Sequence, residues 1–204
     1  MSAIPKRKMT AAEYLEVERR AEFKSEFYNG EMFAMAGASI PHNRIVGNML
    51  RALGNRLETR DCNVYPSDTR VKIERINKYT YPDVSVTWGQ EIYEGERDDV
   101  LLNPILIVEV LSPSTAGYDR REKFQSYQYI KTLQEYLLVS QDTCRLEQYV
   151  RVLEWEWKYR IYSSLEDVVK LESINCELPL KEVYLKVTNI ALLYPINHCC
   201  AVVY

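Results

Sequence analysis

The sequence predicts a single α/β domain, and three observations carry that expectation. Ile45, Met49, Leu53 and Leu57 recur at helical spacing, Tyr81 to Trp88 alternates at strand spacing, and Pro104 to Leu111 is an almost unbroken apolar run. With 204 residues, 47% hydrophobic and 27% charged, the chain has enough apolar sequence for one core and too little charge excess to stay unfolded. One domain over residues 1–204 is expected, with its core at about 10–190.

From the N-terminus, Thr10-Ala11-Ala12-Glu13 reads as a capping box that starts a short helix running to about Arg20. Asn29-Gly30, between Phe27-Tyr28 and Met32-Phe33, is a hairpin signal because both turn residues tolerate positive φ. Pro41 then precedes the amphipathic pattern, which predicts a helix over residues 42–59. Alternation over residues 70–74 predicts a strand with one buried and one charged face.

In the next strand Val84, Val86 and Trp88 share one face, and Pro82 places Asp83 at the strand mouth. A polar loop is expected over residues 89–103. The run from Pro104 to Leu111 is apolar on both faces except at Glu109, as in a central strand covered on both sides. Asp119-Arg120-Arg121-Glu122 reads as a second capping box, opening a helix with Phe124, Tyr127 and Ile130 on one face. A buried strand at 136–139, a hairpin at 146–162 and shorter pieces to Pro195 complete the expectation. The apolar tail 196–204 fits no element.

A net charge of −3 gives no general attraction to nucleic acid, so such binding needs a local basic patch. Cys62, Cys144, Cys176, Cys199 and Cys200 are odd in number and contain no C-x-x-C pair, which argues against a disulfide framework or zinc site and for reduced thiols in a cytoplasm. No run is long enough to cross a membrane, and the basic start lacks an apolar signal core.

Glu109 is the residue with most to explain, because a carboxylate inside an apolar strand costs several kcal/mol unless it is matched. A salt bridge or exposure at the strand end would satisfy it. Together with Asp83, however, it forms a hard-oxygen pair suited to Mg²⁺ or Mn²⁺. Arg120, Arg121 and Lys123 crowd the predicted start of the following helix, where cations are disfavoured unless an anion is near. A solvated basic face is the alternative there. His42, at a helix start, suits capping or packing as well as catalysis.

Tyr81-Pro82-Asp83-Val84, the string from Asn103-Pro104 through Glu109-Val110-Leu111-Ser112-Pro113-Ser114-Thr115, Asp119 with Lys123-Phe124 and Tyr127, and Leu133-Gln134-Glu135-Tyr136 resemble the Uma-type restriction endonuclease family. That family was long known as a domain of unknown function and belongs to the PD-(D/E)XK phosphodiesterase superfamily. Further matches at Lys24-Ser25-Glu26, Asn29-Gly30-Glu31, Met35-Ala36-Gly37 and His42-Asn43 extend the resemblance from Thr10 to about Tyr184.

The resemblance implies a restriction endonuclease-like fold, with a mixed central β-sheet flanked by α-helices and here an extra C-terminal hairpin region. It implies a Mg²⁺- or Mn²⁺-dependent endonuclease acting on DNA, with Asp83, Glu109 and the Val110 carbonyl as metal ligands. Lys123 would take the place of the strand lysine, since the position two after Glu109 is Leu111, and Glu26 would add a further acid. Arg120, Arg121 and His42 are the expected nucleic-acid contacts, and a homodimer is expected because duplex cleavage is simplest with two copies. An inactive nucleic-acid-binding or regulatory protein on the same scaffold is the competing expectation.

Overall fold

Thr10 caps the first helix, α1 (Ala11–Glu18), through the complete capping box: its hydroxyl accepts from the Glu13 amide while the Glu13 carboxylate accepts from the Thr10 amide. In the computed structural model, residues 8–113, 115–188 and 190–191 are described, together with the backbone of Ala201–Val203. Most of the 196–204 tail, with Cys199 and Cys200, thus lies outside the described residues.

A five-stranded sheet follows the order β2-β1-β5-β4-β7, built from β1 (Ser25–Tyr28), β2 (Glu31–Ala34), β4 (Arg70–Ile73), β5 (Lys78–Thr80) and β7 (Val100–Leu101). The turn between β1 and β2 is the expected Asn29-Gly30, at φ 53° and 83°, the geometry of a tight two-residue hairpin. Two expectations fail here. β4 has Arg70, Val71 and Ile73 all buried, so both its faces are covered, and the stretch expected as a loop over 89–103 contains β7, paired in parallel with β4. Two residues are too short a strand to leave a period in the sequence.

The larger sheet runs in the order β14-β11-β10-β9-β8-β6-β3. Its strands are β3 (Cys62–Pro66), β6 (Val84–Trp88), β8 (Leu106–Leu111), β9 (Glu135–Ser140), β10 (Leu146–Arg151), β11 (Trp157–Tyr162) and β14 (Ala201–Val203). Only β8 and β9 pair in parallel, so the sheet is mixed. Trp88, expected on the buried face, is 46% exposed at the end of its strand. A two-stranded ribbon, β12 (Val168–Leu171) with β13 (Cys176–Pro179), follows the predicted hairpin.

One face of the large sheet is covered by α2 (Ile40–Leu57), whose Ile45, Met49, Leu53 and Leu57 pack on Val84, Val86, Leu106, Val108 and Val110. Each such fully buried aliphatic side chain contributes about 1.5–3 kcal/mol. The opposite face meets a helical segment at 116–127. It comprises α3 (Ala116–Tyr118), a π-helical turn (Asp119–Lys123) and α4 (Phe124–Tyr127). Asp119 therefore lies inside the helix and is not its N-cap. The first turn is made instead by Ser112 and Thr115: the Thr115 amide donates to the Ser112 hydroxyl and carbonyl, and the two hydroxyls bond each other. A last helix, α5 (Leu180–Val183), packs against α2. Among the described residues no helix is long and apolar enough to cross a membrane.

Candidate active site

The site begins with the alternation of β8. Leu106, Val108 and Val110 point to α2, so Ile107, Glu109 and Leu111 point to the other face, under the helical segment 116–127. Glu109 is only 4% exposed there and needs a cation. Lys123 provides it: its Nζ stands 2.8 Å from Glu109 Oε1, and the Tyr127 hydroxyl donates to the same oxygen at 2.8 Å. Lys123 is equally buried and also reaches Glu26 Oε1 at 3.3 Å and Asp119 Oδ1 at 3.8 Å. One ammonium is thus shared among carboxylates from β1, β8 and the helix.

Asp83 precedes β6, and because Val84 pairs with Val108 it stands in the row of Glu109. Its Oδ2 accepts from the Val110 amide at 2.7 Å and lies 3.2 Å from His42 Nε2. His42 lies in the first turn of α2: its amide donates to the Ser39 hydroxyl that caps the helix, and its ring faces Asp83. The structure therefore brings Asp83, Glu109, Lys123, Glu26 and His42 into one cluster, with Val110 touching it through its amide.

The basic pair of the helix is divided. Arg120 donates through Nε and Nη2 to Glu147 Oε1 at 3.0 and 2.8 Å, which turns it toward β10. Arg121 is exposed, with Nε 3.4 Å from the Gly117 carbonyl. Leu111, where a strand lysine would stand, is 3% exposed and packed with Phe124 and Tyr127.

Sequence reasoning missed three members of the cluster. Lys78, on β5 and 4% exposed, donates to the Tyr118 hydroxyl at 2.9 Å and to Ser126 Oγ at 3.1 Å, and Tyr118 in turn donates to Glu26 Oε2 at 3.3 Å. Tyr127, read as a residue of the apolar helix face and of the family resemblance but given no part in the site, is the second donor to Glu109. Their signal was tertiary: a three-residue strand and a helix face carry no period that marks a polar contact.

Too many acids for the available cations is the electrostatic signature of the site. Burial pushes the Glu109 carboxyl well above the usual range, Lys123 opposes this, and the charges of Asp83 and Asp119 add to it. Asp119 is raised by burial too, against Lys123. Burial lowers Lys123, but Glu109, Glu26 and Asp119 outweigh it and hold the ammonium protonated. Lys78 is lowered by burial, with Lys123 adding to the effect. Burial also lowers His42, but its hydrogen bond to Asp83 and the Asp83 charge leave it raised.

Such a donor set suits a hard divalent cation. Among the described residues no group of three or more His, Cys, Asp or Glu side chains forms a ready metal cage. Mg²⁺ does not need one, since it commonly takes one or two carboxylates and retains water. The mutual repulsion of Asp83, Glu109 and Asp119 is what a divalent charge would relieve.

A mixed sheet flanked by helices, with acids on neighbouring strands and a lysine against one of them, defines the class: a nuclease scaffold of the restriction endonuclease-like type. The chain belongs to the Uma2 family, described as "Putative restriction endonuclease", whose model matches residues 11–181. It is similar to a crystal structure from Anabaena variabilis described as "a putative nuclease belonging to DUF820", with a TM-score of 0.69 at 19% identity over 86% of this chain and 97% of that one. Two uncharacterized proteins of Synechocystis are also similar. One, sll1609, is 42% identical over 73% of this chain and 84% of its own length, and the other, slr1290, is 34% identical over 87% and 92%.

Proposed function

We propose that this protein is a Mg²⁺- or Mn²⁺-dependent endonuclease that hydrolyses DNA phosphodiester bonds. The observation that carries the reading is Lys123: it arrives from the helix to within 2.8 Å of Glu109, the strand acid opposite Asp83, and so replaces the absent strand lysine. A merely structural ion pair would not also gather Glu26 and Asp119 around one ammonium.

Asp83 and Glu109, with the Val110 carbonyl, would hold the metal, which when bound polarises the scissile phosphate and acidifies a coordinated water. Lys123 orients the attacking water and offsets charge that builds on the phosphate. Glu26 and Asp119 keep that lysine protonated and aimed. His42 fixes Asp83 and, with Arg121, approaches the strand. DNA is the substrate to which the family description points. Cutting both strands of a duplex would be done by a homodimer.

Plasmid nicking tests this. Relaxation of supercoiled plasmid with Mg²⁺ or Mn²⁺, absent with EDTA and absent in Lys123→Ala, is expected. A wild-type preparation that leaves plasmid and single-stranded DNA alike intact in either metal would favour the inactive nucleic-acid-binding alternative.

A further inference from the structure

The rows of the five-stranded sheet extend from the site to the surface. Glu26 on β1 pairs with Phe33 on β2, so the two side chains share a face about 4.5–5.5 Å apart. On the other side Phe27 pairs with Tyr79, which sets Glu26 opposite Thr80 and Tyr28 opposite Lys78. The Thr80 hydroxyl lies 3.2 Å from the Tyr127 hydroxyl, whose own hydrogen goes to Glu109. A single row therefore runs from Phe33 at the surface through Glu26 to Thr80 and Tyr127 in the interior.

Phe33 is 50% exposed and belongs to none of the apolar clusters, and Tyr28 on the same face is 43% exposed. A lone exposed phenylalanine needs no explanation. Two aromatics on one face, on either side of an acid that touches Lys123, do. Tyr28 is also held in place, because the Lys78 ammonium lies 5.5 Å from its ring centroid and 5.2 Å from that of Tyr118. Tyr28 pairs with Glu31, so Tyr28 and Phe33 are diagonal neighbours on one face, about 7–8 Å apart along the sheet. After Phe33 the chain leads to Ser39, which caps α2, and to His42, whose ring faces Asp83.

We infer that Phe33 and Tyr28 form a base-stacking subsite for single-stranded DNA, gripping the base of the nucleotide next to the phosphate presented to Glu109 and Lys123. The inference rests on the nuclease reading and narrows its substrate to a strand that is unpaired at that base. An aromatic face accepts any base, so the subsite confers strand state and not sequence. Its occupant cannot be a base stacked within an intact duplex, because neither face of such a base is open.

The test is fluorescence anisotropy with a labelled single-stranded oligodeoxythymidylate and a matched duplex, in EDTA so that nothing is cut. The wild type is expected to prefer the single strand. Phe33→Ala and Tyr28→Ala are each expected to weaken it about tenfold, Phe33→Trp to preserve affinity, and Phe33→Leu, apolar but without a π face, to lose it. Unchanged affinity in both alanine variants, or duplex bound as tightly as single strand, overturns the inference. So does a dimer that becomes monomeric in Phe33→Ala with oligonucleotide affinity intact, which would make this face a contact between copies of the chain. Cleavage of the same strand in Mg²⁺ separates the two readings. Cutting without aromatic dependence removes the stacking subsite alone, whereas aromatic-dependent binding without any cutting removes the nuclease activity and keeps the subsite.

Discussion

Two acids of the large sheet, Glu109 on β8 and Glu147 on β10, are almost equally buried, at 4% and 2% exposure, yet they are treated in opposite ways. Glu147 receives Arg120 and Arg145 on Oε1 and the Tyr159 hydroxyl on Oε2 at 2.9 Å. Burial raises its carboxyl, but the two guanidinium groups outweigh burial and hold it below the usual range. Glu109 has one cation, shared with Glu26 and Asp119, and is held above that range. The first arrangement closes a structure. The second leaves an acid whose ionisation is poorly compensated within the fold, as the metal-holding role proposed for Glu109 requires.

The comparison breaks most easily on activity. Glu109→Gln and Asp83→Ala should each reduce metal-dependent plasmid cleavage about 10³-fold while urea unfolding shows stability unchanged or slightly raised. Unfolding of either variant would place Glu109 in the same class as Glu147. Glu147→Ala is the mirror experiment: about 3 kcal/mol of stability should be lost because Arg120 and Arg145 are stranded, with the cleavage rate of the folded fraction unaffected.

Lys123→Ala should remove plasmid cleavage, a fall of about 10²-fold or more, but leave Mn²⁺ binding measurable by calorimetry, since Asp83 and Glu109 remain. Adding Leu111→Lys should restore part of the rate, because positions 109 and 111 share a strand face. Its cost is set by the packing of Leu111 against Phe124 and Tyr127. Full activity in Lys123→Ala would remove the lysine from the chemistry.

Stability against pH sharpens the contrast, since the two acids have opposite signs. Glu147, lowered on folding, contributes stability above its unfolded value of about 4.3, and this is lost as pH falls through its folded value. Glu109, raised, does the reverse: its ionisation costs stability as pH rises from that value through the folded one. Glu109→Gln should therefore gain on wild type as pH goes from 4 to 8, while Glu147→Gln falls further behind. The smallest effect belongs to His42. Raised on folding, it contributes stability that is complete below about 6.5 and lost as pH rises through the folded value. His42→Asn should cost about 1 kcal/mol at pH 6 and less at pH 8 in thermal melts.

What could be read in advance follows the range of the forces involved. α2, the Asn29-Gly30 hairpin and β8 were legible because periodicity and turn chemistry act over a few residues. Glu109 stood out because an apolar strand exposes any charge within it. Local rules misplaced Asp119: its spacing to Glu122 matches a capping box, but Ser112 and Thr115 had already turned the chain, and the acid was drawn inward to Lys123. Lys78 and Tyr118 escaped notice because their partners lie 40 or more residues away. Arg120 looked like a free cation until the fold brought Glu147 to it.

The sharing of Lys123 among three carboxylates also has a meaning in time. Glu26, Glu109 and Asp119 come from the beginning and the middle of the chain, and Lys123 meets all three only after the small sheet has closed against the helix and the large sheet. Closing a loop of that length carries an entropic cost that its many later contacts must offset. A partly folded chain can hold some of these groups but not their meeting point. The cluster on which the proposed chemistry rests is therefore complete only when the two sheets have docked.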